Sequence, residues 1–198
     1  MKSGLTVALI ALLVVGLGFF AGVGSYNGLV KADEAVGQRW ADVETQYQRR
    51  ADLIPNLVNT VRGAADFEQE TLTAVTEARA RATGVTLSAD DLNDPAQMEA
   101  FMAAQQQLSG ALGRLLVVSE NYPELRATES FRDFQAQLEG TENRINVARR
   151  DYNDTVAAYN SKVRQFPGSI VASITGFDRK TPFEADKGAE DAPTVDFN

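Results

Sequence analysis

The chain opens on an unbroken apolar stretch. Residues 5–23 (LTVALIALLVVGLGFFAGV) carry no charge, and between Lys2 and Lys31 Tyr26 is the one ionisable side chain. At 1.5 Å per residue, about 20 such residues cross a hydrocarbon core of roughly 30 Å. The pattern predicts an N-terminal transmembrane helix within residues 1–30, with Tyr26 at the membrane–water interface. The competing reading is a cleaved signal peptide, for which the run is long and the small-x-small site poor: Gly22-x-Gly24 fits, Ala21-x-Val23 does not. Lys2 on one side, against Lys31 and Arg39 on the other, leaves open which side of the membrane the remainder faces.

From Lys31 onward the apolar positions recur at helical spacing. Val36, Trp40, Val43, Tyr47, Ala51, Ile54, Val58 and Val61 fall three or four apart and share one face. Pro55 lies inside this run, and because the stripe keeps its register on both sides, the residues predict a kink in one helix rather than a break. Gly63 then offers a stop. Asp66 with Gln69 reads as a capping box for a second helix through Phe67, Thr71, Val75, Ala78 and Ala82.

Residues 84–94 are polar and turn-forming, and Asp94-Pro95 is an N-cap followed by proline in the first helical position. The third stripe runs Met98, Phe101, Gln105, Leu108, Leu112, Leu115, with Gln105 its odd member. Thr128 caps the last helix, whose stripe passes from Phe131 through Phe134, Leu138, Thr141, Ile145, Ala148, Tyr152, Val156, Tyr159 and Val163 to Phe166, about 55 Å, before Pro167-Gly168 ends it. Helices this long cannot bury their stripes alone. The economical all-α solution is an up-and-down four-helix bundle over residues 31–168, in which two long helices are covered by two shorter ones. Residues 169–184 carry scattered apolar side chains suited to folding back on the bundle; residues 185–198 are acidic, hold little to bury and are expected to be disordered.

Charge and composition narrow the function. The net charge is −8, with acids in excess in both the body and the tail, so the chain lacks the basic footprint of a nucleic-acid binder. It contains neither His nor Cys. That removes Ser-His-Asp and Cys-His centres, thiolate and imidazole metal sites, and the Glu-x-x-His ligands of a di-iron bundle. No glycine-rich phosphate loop is present, since the glycines cluster in the apolar run. The residues offer no catalytic, metal or cofactor site, and the chain is read as a non-enzyme.

Several short motifs together resemble the LemA family. They are Tyr26-Asn27-x-Leu29-Val30, Arg49-Arg50-x-Asp52-Leu53-Ile54-Pro55-Asn56-Leu57-Val58, Val75-Thr76-Glu77-Ala78-Arg79, Glu120-Asn121-Tyr122-Pro123-x-Leu125, Thr141-Glu142-Asn143-Arg144-Ile145, Ala148-Arg149-Arg150-x-Tyr152-Asn153 and Phe166-Pro167, in order from about residue 5 to 184. The resemblance implies a bacterial single-pass membrane protein with an α-helical bundle. It carries over no catalytic or binding residue.

The candidate interaction residues are therefore polar or small positions beside the stripes. Gly18 and Gly22 form a G-x-x-x-G that would let two membrane helices approach. Asp52 and Asn56 flank Pro55, while Asn153 and Asn160, seven apart, line one edge of the last helix. One reading has these four bonding across the helix seam and serving backbone freed by the proline; the other makes them a polar groove for a partner segment. Arg49-Arg50 and Arg149-Arg150 read as solvated or paired with acids, with Arg49 and Arg50 the pair to test for lipid contact. The expected function is interaction or membrane organisation: partners are the bilayer, through the N-terminal helix, and another protein or a second copy. The alternative is a binding module or enzyme accessory acting on a ligand near the membrane, marked by a shared pocket around Asn56 and Asn153.

Overall fold

The computed structural model describes residues 2–63 and 67–184. Asp66, and with it the expected capping box, lies outside the described residues, as does the acidic tail 185–198. Six α-helices and no strand occur among the described residues: α1 (Lys2–Arg62), α2 (Gln69–Gly84), α3 (Pro95–Ser119), α4 (Pro123–Ala127), α5 (Glu129–Arg164) and α6 (Gly168–Thr175), with a 3-10 turn at Asp91–Asn93. Long α1 and α5 pack against each other, α2 and α3 cover them, and the chain is the all-α bundle its stripes require.

The apolar run and the first bundle helix are one element. α1 is 61 residues long, about 90 Å, and passes through Pro55 without a break. Its first part is bare: Leu9, Leu12, Leu13, Val15 and Phe20 are exposed. Its last part is core. Every member of the stripe from Val36 to Val61 is buried, together with Leu29 and Leu57. One helix therefore presents an all-round apolar surface at one end and a one-sided stripe at the other.

The caps form where the side chains allow. Asp94 accepts from the Ala96 amide at 2.9 Å and Thr128 from the Phe131 amide at 3.3 Å, each satisfying a helix-start donor. α2 begins later than its pattern suggests. Phe67 precedes the helix and packs against Tyr122, ring centroids 4.9 Å apart, instead of joining the α2 stripe. Phe166 departs from its stripe as well: α5 ends at Arg164, the chain turns at Pro167, and Phe166 is 81% exposed.

The interior divides into two clusters. The one nearer the apolar run contains Val36, Trp40, Val43, Tyr47, Phe101, Tyr152 and Val156; the distal one contains Ile54, Leu57, Leu72, Val75, Leu108, Leu115 and Phe131. Arg50 sits between them. Past α6 the chain turns at Gly176, where φ is +79°, a left-handed conformation glycine adopts without strain. Residues 177–184 then run back along α5.

Candidate functional site

Three arrangements gather polar chemistry, and the first two lie at sequence candidates. The first is the seam between α5 and residues 177–184. Asn160 donates from Nδ2 to the Lys180 carbonyl and accepts from the Lys180 amide, both at 2.9 Å. Asn153 makes the same pair with Phe183, at 3.0 and 2.8 Å. The match is metrical: seven helical residues rise about 10.5 Å and three extended residues span about 10 Å. Tyr159 and Tyr152, one position earlier, donate their hydroxyls to the carbonyls of Asp178 and Thr181 at 2.8 and 3.0 Å. Burial holds both phenols well above their ordinary pKa, with Asp33 and Asp178 adding to the effect at Tyr159, so they remain protonated donors.

This edge of α5 thus imitates a neighbouring strand and satisfies the backbone of an extended segment. The segment ends in an aromatic plug. Phe183 stacks on Trp40 (5.9 Å), meets Tyr152 edge-on (5.4 Å) and is covered by the Arg149 guanidinium at 4.8 Å. Lys180 reaches Asp33 of α1 at 3.3 Å and the Ala89 carbonyl at 3.2 Å, tying the segment to both flanks. Asn153 and Asn160 do not reach across to α1; the chain's own C-terminal segment occupies their groove.

The second arrangement surrounds Pro55. A proline removes the bond its amide would give to the carbonyl four residues back, here Ala51. Arg79 of α2 supplies the donor, Nε to the Ala51 oxygen at 2.8 Å. Asp52 and Asn56 do not serve it: both are exposed, and Asp52 accepts from Gln48 one turn earlier at 2.8 Å. Asp52 instead lines an open cleft of about 760 Å³ between α1 and the end of α2, with Glu44, Gln48, Arg49, Thr83 and Phe101. Partial burial raises the Glu44 carboxyl above its ordinary pKa. Asn56 does not line this cleft, and it stands 16 residues, about 24 Å, along α1 from Trp40, the level of Asn153. The two asparagines share no pocket.

The third arrangement was hidden in the sequence. Arg50 is 2% exposed. Its Nη1 donates to Ser109 Oγ (2.8 Å) and Glu142 Oε1 (2.9 Å), and its Nη2 to Gln105 Oε1 (2.7 Å). Gln105 passes the connection on, donating to the Ala82 carbonyl at 3.2 Å, so one network joins α1, α2, α3 and α5. The guanidinium lies over the Tyr47 ring at 5.1 Å. Arg50 is therefore paired with an acid, Glu142, rather than solvated, and is closed to lipid, while Arg49 beside it is exposed. The signal was present: Arg50 lies three after Tyr47 and four before Ile54, on the stripe, as Gln105 does on α3.

Gly18 and Gly22 face open space; methyl groups there would meet nothing within 4 Å. No cluster of three acids able to hold a metal ion occurs among the described residues.

Together these features define a helical-bundle protein with a long apolar N-terminal helix. The chain belongs to the LemA family, whose family model matches residues 39–197. It is 28% identical over 186 residues to magnetosome protein MamQ 2 of Paramagnetospirillum magneticum, covering 86% of this chain and 68% of that protein. Magnetosome protein MamQ of Magnetospirillum gryphiswaldense is 27% identical over the same shares of each chain. Protein LemA of Metamycoplasma hominis is 24% identical over 161 residues, 81% of this chain and 69% of the relative.

Proposed function

We propose that the protein is a single-pass membrane protein whose bundle works by interaction, binding another protein or a second copy and organising the membrane beside it, and that it catalyses no reaction. The observation that carries this reading is the continuity of α1: the helix that is bare and apolar from Leu9 to Val23 is the same helix that forms the centre of the bundle. A bare apolar surface of that length is unfavourable in water and favourable in lipid. Movement of the bundle is then tied to the orientation of the span. The relatives named magnetosome proteins fit work on a cellular structure better than turnover of a substrate.

The surfaces offered to partners are Gly18 and Gly22 in the span and the cleft holding Asp52 on the bundle. Asn153 and Asn160 serve this role indirectly, by holding the C-terminal segment in place. In bacterial cells the full chain should stay in the membrane pellet through high-salt and urea washes, and a photocrosslinker at Thr83 should give a discrete protein adduct. Release by salt contradicts the anchor. A Thr83 position that crosslinks only to water-soluble ligand, with no protein adduct, contradicts the interaction reading.

A further inference from the structure

Among the described residues, the outward face of α6 has no partner. Past Tyr26, five large apolar side chains are exposed among the described residues, and three of them are together here: Phe166 (81%), Ile170 (53%) and Ile174 (79%). Ile170 and Ile174 are one helical turn apart on α6, and Phe166 stands exposed just before its N-cap, Pro167.

The position of this patch says what covers it. Both ends of α6 meet α1 at the end of the apolar run: a methyl on Gly168 would come within 3.8 Å of Ser25 Oγ, and Phe177 packs on Tyr26 with ring centroids 5.9 Å apart. The same methyl would collide with the Lys162 carbonyl, so glycine is what lets the helix start this close to the end of α5. Residues 5–23 span about 28 Å, enough to cross the hydrocarbon core. Ser25 and Tyr26 then stand about 3 to 5 Å beyond it, inside a headgroup layer roughly 5 to 8 Å deep.

Charge at this end matches a headgroup surface. Lys31, Lys162, Arg164 and Arg179 are exposed here, against Glu34 and Asp178, since Asp33 is taken by Lys180. A chain of net charge −8 thus turns a cationic rim toward the membrane.

We propose that α6 is a membrane-interfacial foot: Phe166, Ile170 and Ile174 enter the boundary between headgroups and acyl chains of the bilayer that α1 crosses, and the basic rim contacts anionic headgroups. The foot rests on the anchor reading above and deepens it. It gives the bundle a second point of attachment, which fixes the tilt of α1 and of the bundle together.

The chain has no cysteine, so single cysteines report cleanly. The test labels Val15→Cys, Ile174→Cys and Val147→Cys separately with an environment-sensitive fluorophore in the full chain. Each is reconstituted in phosphatidylcholine–phosphatidylglycerol vesicles containing lipid with a nitroxide high on the acyl chain. Ile174→Cys should lose roughly half of its emission to the nitroxide, Val147→Cys almost none, and Val15→Cys should be shielded from aqueous iodide. Replacing phosphatidylglycerol with phosphatidylcholine should weaken quenching at Ile174→Cys alone. If Val15→Cys is shielded and Ile174→Cys behaves as Val147→Cys does, the foot is wrong and the anchor stands. If Val15→Cys is open to iodide, both fall. Shielding of Ile174→Cys from iodide without quenching by lipid would mean that another copy covers the face, which also overturns the foot.

Discussion

Arg50→Ala is expected to lower stability by about 3 kcal/mol, near the bottom of the range for breaking a buried ion pair. The truncation strips Gln105 Oε1, Ser109 Oγ and Glu142 Oε1 of a common donor and leaves a void under the Tyr47 ring. Glu142 is 39% exposed and regains water, which keeps the loss from reaching the top of that range. For a domain of this size the melting temperature should fall by roughly 6 to 12 °C, read by far-ultraviolet circular dichroism in detergent. The companion variant Arg50→Met, Gln105→Met, Glu142→Leu replaces the group with apolar side chains of similar volume. It should recover at least part of the loss, because no buried charge is left alone; the Ala82 carbonyl, which loses Gln105, limits the gain. An unchanged melting temperature for Arg50→Ala would mean that the network adds nothing to the fold.

Phe183→Ala should cost about 3 to 5 kcal/mol, the usual range for emptying a buried aromatic site. Phe183 is 5% exposed and fills the space between Trp40, Tyr152 and Arg149. Its loss acts further than its own contacts. The amide pairs from Asn153 and Asn160, and the hydroxyls of Tyr152 and Tyr159, all end on the segment that Phe183 fastens. Amide hydrogen exchange at Lys180 and at position 183 should therefore rise well beyond the global change, while exchange in α2 and the distal half of α1 follows global stability only. Retained protection at Lys180 would show that the asparagines hold the segment without the plug.

How much of this was legible in the sequence follows from what each element is made of. The α1 and α5 stripes could be read because apolar side chains at a 3.6-residue period have one physical outcome, burial on one face, and from Val36 to Tyr159 they are buried. Phe166 broke the pattern because Pro167 ends the helix geometry that the period assumes. Gln105 could be placed on its stripe, but the burial of Arg50 and the network joining the two escaped, because burial of a charge depends on donors and acceptors from three other helices, which no local pattern encodes. The need at Ala51 could be inferred from Pro55, but its supplier is Arg79, on a different helix, and not the adjacent Asp52 or Asn56. The C-terminal segment lacks periodicity altogether: its backbone is held by side chains two turns apart on α5, so the spacing of Asn153 and Asn160 was the visible half of a match whose other half is extended chain.

The apolar stretch and the first bundle helix are one continuous element, α1, and an interspin distance across it tests that continuity. Leu17 and Thr45 are both exposed on α1, 28 residues apart. Spin labels on Leu17→Cys and Thr45→Cys in the otherwise cysteine-free chain, reconstituted in lipid nanodiscs, should give one narrow distance peak near 42 Å, the length of an unbroken α-helix between them. A broad distribution, or a peak well short of that length, would mean that the bundle hangs from the apolar stretch on a hinge and that α1 is not continuous.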